Sequence, residues 1–485
     1  MAKKKIDNTE HILDLFEQVS AIPRPSKHEE RICEWLMEWA SKQGFTARQD
    51  EIGNILIEVP GTKGYEDSSP VILQGHLDMV CEKNPESTHD FSKDPIRFVR
   101  DGDWLHADGT SLGADNGLAI AMAMAAATDP TLKRPPLELL FTVDEETGLS
   151  GAQGLKADFF KGRTMINLDS EDEGRFTVGC AGGRETEISL PLSWNEVPAD
   201  WQALSLKADG MVGGHSGVNI HEGRANAIRI LARTLFMISE HAPICIAGIR
   251  GGTAHNAIPR AAMAVFYVET SKVYEVRKLA DEAHHIFRDE FKTTDPNLTI
   301  LCDPFEDAPD RRAMTQGSSN RLLDLLIAMP HGVAAMSTAV QGLVETSNNQ
   351  AMVQIEEGKL SITSSQRSSV MTRLDGITRK VEAVARLAGA TFKTNVGYPA
   401  WQPDMSSPLL AEAKTLYKKL FKQEAHIELI HAGLECGLIG AIKPGMDMIS
   451  MGATMRDPHS PSERLFVPSI AKIWDLMVEI LKILK

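Results

Sequence analysis

The sequence has little positive charge and no long apolar run. Its 51 Lys and Arg residues stand against 66 Asp and Glu residues, a formal net charge of −15. A phosphate backbone repels such a chain unless its charge is strongly segregated, and the one basic cluster, Lys3–Lys5, reads as a solvated N-terminus. We therefore expect no nucleic-acid binding. With no apolar window of about 18 residues and no apolar stretch after the basic start, we expect neither a membrane span nor a signal peptide.

Cysteine is also scarce, with six residues and no CxxC pair. In a chain of 485 residues, such scattered cysteines are typical of reduced thiols, most of them in the core, and predict a cytoplasmic protein. The length suggests about two to four domains. Ordinary hydrophobic and charged contents, 42% and 24%, predict a globular chain.

The first and last parts of the chain alternate between strands and helices. Val71–Leu73 is a continuous apolar run, typical of a strand buried on both faces, and Leu137–Val143 and Thr164–Leu168 are predicted to be two further buried strands. Ala119–Ala127 is rich in Ala and Met and is typical of a buried helix. A capping box at Ser26–Glu29 predicts the start of an amphipathic helix. This alternation predicts an α/β fold with a mostly parallel sheet flanked by helices.

The middle of the chain has a different pattern, with many candidate strands and few helices. We predict a catalytic domain formed by residues 1–185 and 396–485, and an inserted α+β domain at 186–395. The insertion has no sharp repeat, although its pattern leaves open two α+β units.

Polar residues follow buried strands or begin helices at five places. They are His76 with Asp78, Asp115, Glu145 with Glu146, Asp169, and His459. Because ligands bind outside the carboxyl ends of strands in open α/β sheets, we expect the five loops to meet at one edge.

Two histidines and several carboxylates suit zinc or a similar divalent ion, or two ions if one carboxylate bridges them. One of the paired glutamates can bind metal while the other moves a proton, and Asp78 can fix the tautomer of His76. Taken singly, each residue has a simpler explanation: Asp115 as a helix N-cap, for example, or His459 as a surface histidine. Their combination favours a metal site.

The motifs resemble those of the aminoacyl-histidine dipeptidases, also called peptidase D, cytosol non-specific dipeptidase or bacterial carnosinase, which are co-catalytic zinc exopeptidases. The matching segments are 74–80, 112–117, 144–148, 166–171, 213–217, 431–437 and 458–461. They extend over nearly the whole chain, and their combination is specific although each motif is weak.

This resemblance implies two divalent metal ions per subunit, zinc first, with cobalt or manganese as alternatives. His76 and Asp169 would bind one ion, Glu146 and His459 the other, and Asp115 both. Glu145 would be the general base and acid, and Asp78 would orient His76. The resemblance also implies a cis peptide bond between Asp115 and Asn116.

The insertion would be a lid and dimerisation domain, so a homodimer is expected. His215 would steady the oxyanion, while Asn256, Arg367 and Gly433 would hold the substrate's carboxylate. A turn histidine among glycines and a surface strand arginine are the simpler explanations of His215 and Arg367. His255 receives no role.

The expected function is a metal-dependent dipeptidase that hydrolyses unblocked dipeptides, Xaa-His and others, with a metal-bridged hydroxide and a glutamate base. An N-acyl-amino-acid deacylase of the same metallohydrolase group is the alternative. A catalytically silent peptide- or metal-binding relative is less favoured because Glu145 and all five ligand positions are present.

Overall fold

The structure is a computed structural model that describes residues 8–306, 311–338, 340, 342–356 and 358–485. Its contacts divide the chain into two compact units. The first unit contains the described chain up to Cys180 together with Trp401–Leu429 and Leu434–Lys485, and the second contains Ala181–Ala400 and Ile430–Gly433. The predicted domain boundaries are 185/186 and 395/396, and that prediction keeps residues 430–433 in the last segment.

Helices occur in both units. They are α1 (Asn8–Ser20), α2 (Glu30–Gln43), α3 (Ala114–Thr128), α4 (Glu145–Gly148), α5 (Ser150–Gly154), α6 (Ala227–Ser239), α7 (Val273–Glu290), α8 (Gln316–Ala328), α9 (Met371–Leu387), α10 (Pro408–Phe421), α11 (Glu435–Ile442) and α12 (Val467–Ile483), with short 3-10 helices at Ile220–Glu222 and Thr270–Lys272. None of the helices in the described ranges is long and apolar enough to cross a membrane.

Strands also occur in both units. They are β1 (Thr46–Gln49), β2 (Ile55–Val59), β3 (Val71–His76), β4 (Phe98–Asp101), β5 (Trp104–Ala107), β6 (Leu137–Thr142), β7 (Thr164–Asn167), β8 (Arg175–Cys180), β9 (Gly182–Pro191), β10 (Trp194–Glu196), β11 (Trp201–Asp209), β12 (Gly214–His215), β13 (Cys245–Gly251), β14 (Ala257–Ile258), β15 (Ala262–Glu269), β16 (Thr299–Pro304), β17 (Arg312–Met314), β18 (Gly332–Met336), β19 (Val344–Glu356), β20 (Lys359–Ser368), β21 (Thr391–Thr394), β22 (His426–Ile430), β23 (Asp447–Ser450), β24 (Met455–Arg456) and β25 (Arg464–Phe466).

The main sheet of the first unit has the strand order β1-β2-β6-β3-β7-β23-β8-β22. Its four central strands, β6, β3, β7 and β23, are parallel. The neighbouring pairs β1–β2, β2–β6 and β23–β8 are antiparallel. The predicted parallel sheet is therefore the centre of a mixed sheet.

The central strands are buried and mainly apolar because both faces of the sheet are covered. Every residue of β3 and β6 is buried. Leu73 and Ile166 belong to one hydrophobic cluster, while Ile72 and Met165 belong to another. Burying each of these side chains stabilises the folded state by about 1.5–3 kcal/mol. Helix α3 is buried from Ala114 to Ala127 and shares a hydrophobic cluster with Leu73 and Ile166. Its burial explains why the helix is rich in alanine.

A smaller antiparallel sheet in the first unit has the order β24-β25-β5-β4. The connection between β24 and β25 carries His459. The prediction placed His459 directly after a strand of the main sheet. It lies instead in a connection of this smaller sheet.

The second unit is built on one continuous sheet. Its order is β16-β11-β15-β13-β19-β20-β9-β21, with β18 paired to β19. The pairs within it are antiparallel. Residues of α6, α7, α8 and α9 share a hydrophobic cluster with this sheet. The two α+β units that the sequence left open are thus joined in a single sheet.

Candidate active site

The expected metal ligands lie together in the first unit. His76 ends β3 and is 1% exposed. Asp115 lies in the first turn of α3, Glu146 lies in α4, and Asp169 follows β7 closely. Because β3, β6 and β7 run parallel, the loops at their carboxyl ends meet at one edge of the sheet.

The carboxylate of Asp115 lies between the two imidazoles. Its Oδ1 is 3.0 Å from His76 Nε2, and its Oδ2 is 3.2 Å from His459 Nε2. Asp169 Oδ1 is 3.5 Å from His76 Nε2, and Glu146 Oε2 is 3.0 Å from His459 Nε2. The cluster therefore has two halves that share Asp115.

Asp78 joins the ends of two strands. Its carboxylate lies 3.2 Å from His76 Nδ1 and accepts hydrogen bonds from the N–H groups of Glu145 and Glu146, at 3.0 and 3.2 Å. Ser26 Oγ also donates to it, at 2.7 Å. This arrangement leaves Nε2 of His76 directed at Asp115 and Asp169, as a metal-binding histidine requires.

Two buried charged side chains hold the loop before Asp115. Glu463 accepts the N–H groups of Leu112, Gly113 and Ala114, at 2.7, 2.9 and 2.8 Å. Arg24 donates from Nη2 to the Gly113 carbonyl at 2.5 Å. Gly113 has φ +68° and a Cβ there would lie 2.7 Å from Arg24, so glycine is required.

The peptide bond between Asp115 and Asn116 is cis. The Asn116 amide donates to Asp169 Oδ1 at 2.7 Å and to the Leu168 carbonyl at 3.1 Å. Its oxygen accepts the N–H of His76 at 3.3 Å. Asn116 thus connects three of the loops that carry expected ligands.

The turn that carries Glu145 and Glu146 is held by its neighbours. Asp144 has φ +51° and accepts hydrogen bonds from the hydroxyls of Thr147 and Ser150. Its N–H donates to Glu29 Oε1 at 2.9 Å. The two glutamates are consequently presented from a fixed backbone.

Burial and neighbouring charges shift the pKa values of the cluster. Burial raises the pKa of Asp169 to about 8 and that of Glu145 well above its ordinary range. Hydrogen bonds with Asp115 and Glu146 raise the pKa of His459 to about 11. Burial acts to lower the pKa of His76, but Asp169 and Asp115 outweigh it and the pKa is raised. Without cations, the cluster therefore retains protons between its donor atoms.

The donor set fits divalent cations. His76, Asp115 and Glu146 each offer a ligand atom, and these atoms lie within 4.8 Å of one another. Glu146 Oε1 is buried without a hydrogen-bond partner in the described structure. A buried carboxylate oxygen in that state is costly unless a cation or water binds it. Imidazole nitrogen and carboxylate oxygen are the usual ligands of zinc and related ions.

A buried polar layer lies beneath this cluster. Glu435 Oε2 accepts hydrogen bonds from Gln74 Nε2 at 2.6 Å and from Thr142 Oγ1 at 2.7 Å. Asn167 Nδ2 donates to Gln74 Oε1 at 2.5 Å. Gln74, Thr142 and Asn167 belong to β3, β6 and β7, and Glu435 is the first residue of α11. Their side chains therefore connect the strands that carry the expected ligands to this helix. Burial raises the pKa of Glu435.

The four expected substrate-binding residues lie in the second unit. His215 pairs with Ala257 between β12 and β14, and the carbonyl of Asn256 accepts the N–H of Ser216 at 2.7 Å. His215 and Asn256 are therefore close neighbours. Burial lowers the pKa of His215 to about 4, so its imidazole is neutral near pH 7.

Arg367 and Gly433 are connected through Tyr398. Arg367 Nη1 donates to the Tyr398 hydroxyl at 2.6 Å. A Cβ on Gly433 would lie 2.8 Å from the Tyr398 ring. Arg367 lies within β20 and is 7% exposed, so it is not the surface strand arginine of the simpler explanation.

One local prediction was wrong. Helix α2 begins at Glu30 without a side-chain cap, so Ser26 and Glu29 do not form a capping box. Both side chains instead hold active-site loops, through Asp78 and Asp144.

Sequence reasoning also missed Arg24, Asn116, Glu463 and Tyr398. Asn116 had a signal, since it is part of the motif 112–117, whereas the others are far along the chain from their partners.

Such a cluster, at the carboxyl ends of parallel strands, is typical of metal-dependent hydrolases. The sequence profile of Peptidase family M20/M25/M40 matches residues 72–483, so the chain belongs to that family. The predicted fold class and the predicted enzyme class, a hydrolase acting on peptide bonds, are confirmed.

Two relatives resemble nearly the whole chain. The cytosol non-specific dipeptidase of Escherichia coli K12 is 40% identical over 469 residues, which are 97% of this chain and 96% of the relative. The crystal structure of aminoacylhistidine dipeptidase from Vibrio alginolyticus has a TM-score of 0.88 and 36% identity, covering 97% of this chain and 96% of that one. These matches confirm the resemblance inferred from the motifs. The aminopeptidase PepT structure from Bacillus cereus, with 16% identity, a TM-score of 0.57 and 98% of both chains covered, shares the fold.

Proposed function

We propose that the protein is a metal-dependent dipeptidase that hydrolyses unblocked dipeptides, Xaa-His among them. The observation that carries this proposal is the arrangement of His76 and His459 on either side of Asp115, with Glu145 next to a ligand. The names of the Escherichia coli and Vibrio relatives support the choice of dipeptides.

In this proposal the cluster would hold two divalent cations, with zinc as the first candidate and cobalt or manganese as alternatives. His76 and Asp169 would supply ligands for one, Glu146 and His459 would supply ligands for the other, and Asp115 would be a ligand to both. Such cations would polarise the scissile carbonyl and lower the pKa of water. Asp78 keeps the His76 imidazole in the tautomer whose Nε2 is free to bind.

Glu145 moves the proton. Its carboxylate takes a proton from the attacking water and passes it to the departing amine, as a general base and then acid. The Glu145 N–H is bonded to Asp78 Oδ1 at 3.0 Å, so the backbone that presents this carboxylate is fixed to the loop of His76.

His215 donates a hydrogen bond to the oxyanion. Its Nδ1 accepts the N–H groups of Gly217 and Val218, at 3.3 and 3.0 Å. A neutral imidazole that accepts at Nδ1 carries its proton on Nε2, which is the donor that an oxyanion needs.

Arg367, Asn256 and the Gly433 backbone bind the carboxylate of the substrate. Arg367 Nε is buried and has no hydrogen-bond partner among the described residues. A buried guanidinium with an unused donor is suited to binding an anionic group. Holding the carboxylate at a fixed distance from the cations would exclude longer peptides.

Two further proposals follow from the resemblance. We propose that the protein acts in the cytosol, as the name of the Escherichia coli relative states for that protein. We also propose that it forms a homodimer through the second unit and that His215 of one subunit serves the site of its partner. A subunit-mixing assay tests this arrangement.

A hydrolysis assay tests the activity. Protein stripped with a chelator and reloaded with zinc, cobalt or manganese is offered Gly-His, β-Ala-His, Leu-Gly, a tripeptide and N-acetyl-Met. We expect metal-dependent cleavage of unblocked dipeptides, with the tripeptide and N-acetyl-Met spared. Glu145→Gln should lower kcat by about 10²–10⁴-fold, whereas Glu51→Gln, at a side chain that is 85% exposed, should not.

The other outcomes identify the rival functions. Cleavage of N-acetyl-Met alone would make the protein a deacylase. If the wild type were as inactive as Glu145→Gln with every metal, the enzyme proposal would fail and a binding role would remain.

A further inference from the structure

The phenol ring of Tyr398 lies between two glycines of the second unit. A Cβ on Gly183 would lie 2.5 Å from the Tyr398 hydroxyl oxygen, and a Cβ on Gly433 would lie 2.8 Å from the opposite ring edge, at Cε2. Side chains at these two positions would displace the ring. Both glycines are therefore required by the position of Tyr398.

Backbone hydrogen bonds fix Tyr398 beside Arg367. The Tyr398 N–H donates to the Gly183 carbonyl at 3.0 Å, and the Gly183 N–H donates to the Tyr398 carbonyl at 3.1 Å. Gly183 in β9 is in turn the register partner of Arg367 in β20. Three separate chain segments thus place the phenol next to the guanidinium.

The guanidinium of Arg367 is held by Tyr398 and is not neutralised. Nη1 donates to the Tyr398 hydroxyl at 2.6 Å, while Nε is buried without a partner. Within the described ranges, Arg367 forms no ion pair with a carboxylate. Its charge therefore remains available to an anionic group, in an orientation set by the phenol.

We propose that Tyr398 is a positioning residue that sets the orientation of Arg367 relative to the Gly433 backbone, and thereby the preference for substrates with an ionised C-terminal carboxylate. The inference rests on the proposed function, in which Arg367 and Gly433 bind that carboxylate. The phenol acts through Arg367: its hydroxyl holds the guanidinium, and its ring spaces Arg367 from Gly433.

The test compares a free dipeptide, Gly-His, with its C-terminal amide, using the metal-loaded enzyme. The measured quantity is the ratio of kcat/KM for the free dipeptide to kcat/KM for the amide. Tyr398→Phe keeps the ring and removes the hydroxyl. We expect the ratio to fall by about tenfold, the size expected for losing a hydrogen bond to a charged group. The fall should come from a higher KM for the free dipeptide, with little change for the amide.

Three further variants isolate the effect. Tyr267→Phe is the matched control, because the Tyr267 hydroxyl is buried in the same unit and has no partner in the described structure. It should leave the ratio unchanged. Gly183→Ala should lower the ratio as Tyr398→Phe does, since it displaces the phenol. In an Arg367→Ala background, Tyr398→Phe should have no further effect on the ratio.

The outcomes separate this inference from the proposed function. If Arg367→Ala lowers the ratio and Tyr398→Phe does not, the positioning role is wrong while carboxylate recognition stands. A loss of kcat on both substrates with Tyr398→Phe would also overturn it. If Arg367→Ala leaves the ratio unchanged, carboxylate recognition by Arg367 fails, and the role of Tyr398 fails with it.

Discussion

Glu463→Gln should destabilise the protein and weaken cation binding together. Glu463 is 2% exposed, and its two oxygens accept N–H groups from the loop that leads to Asp115. It also lies in the same connection between β24 and β25 as His459. One side chain thus fixes the loop of Asp115 to the loop of His459.

The magnitude follows from the hydrogen bonds that glutamine cannot make. Glu463 Oε2 accepts from Leu112 and Gly113, and Oε1 accepts from Ala114. Glutamine keeps one acceptor oxygen, and its NH₂ group then faces an N–H donor. Losing a hydrogen bond to a charged group costs about 1.5–3 kcal/mol, and a buried donor left unpaired costs about 1–3 kcal/mol. We therefore expect the free energy of unfolding to fall by about 3–5 kcal/mol.

Cation binding should weaken because Asp115 and His459 lose their common support. Removing a group that supports metal ligands typically lowers metal affinity by about 10–100-fold. The assays are urea unfolding of the chelated protein and a competition titration of zinc against a chelator. Glu479→Gln is the control, since Glu479 is 33% exposed and its pairing with Lys482 is worth less than about 1 kcal/mol. An unfolding free energy and a zinc affinity for Glu463→Gln that both match those of Glu479→Gln would refute the reasoning.

Two other predictions concern the second unit. If His215 serves the partner's site, mixing inactive Glu145→Gln and His215→Ala subunits should restore about a quarter of wild-type activity, since half of randomly formed dimers are mixed and each has one intact site; no recovery after subunit exchange would contradict this. Burial lowers the pKa of His331 to about 3, below its unfolded value of 6.5, so the unfolded chain binds the proton first as the pH falls. The contribution of His331 to the free energy of unfolding should therefore be fully present above pH 6.5. Below that pH it should fall by up to about 1.4 kcal/mol per pH unit. Urea unfolding of wild type and His331→Leu at pH 7 and 5 should show a smaller pH dependence in the variant, and equal dependences would contradict the assignment.

Strands and helices were predictable where burial is complete. Strand β3 and its neighbour β6 are buried at every residue and mainly apolar, because both faces of the sheet are covered. Helix α10 has clear local signals at both ends: Ser407 caps it, Pro408 begins it and Lys422 ends it in a left-handed conformation. The pairing of strands was harder to predict from the sequence. The pairing of β9 with β20 joins residues about 180 positions apart, such as Thr186 and Gln366, and no local pattern contains that information.

The expected metal ligands could be proposed from the sequence for a related reason. Four of them lie at or shortly after the end of a buried strand or in the first turn of a buried helix, so the local pattern places them near one edge of the sheet. His459 is the exception, since it lies in the connection between β24 and β25. The residues that hold them are different. Arg24 and Glu463 contact the loop of Gly113 across 89 and 350 positions of sequence. Each is a single charged residue without a local pattern, so its partner becomes known only when the chain is folded.

Asp78 explains why two short motifs occur together in this chain. Its Oδ1 lies 3.2 Å from His76 Nδ1 and accepts the N–H of Glu145, while its Oδ2 accepts the N–H of Glu146. Hence one carboxylate fixes both the imidazole at the end of β3 and the backbone that carries the paired glutamates after β6. A residue one position earlier or later would point to the other side of the extended chain and reach neither. The spacing of His76 and Asp78 and the adjacency of Glu145 and Glu146 are therefore parts of one arrangement, and a change in either motif should disturb the other.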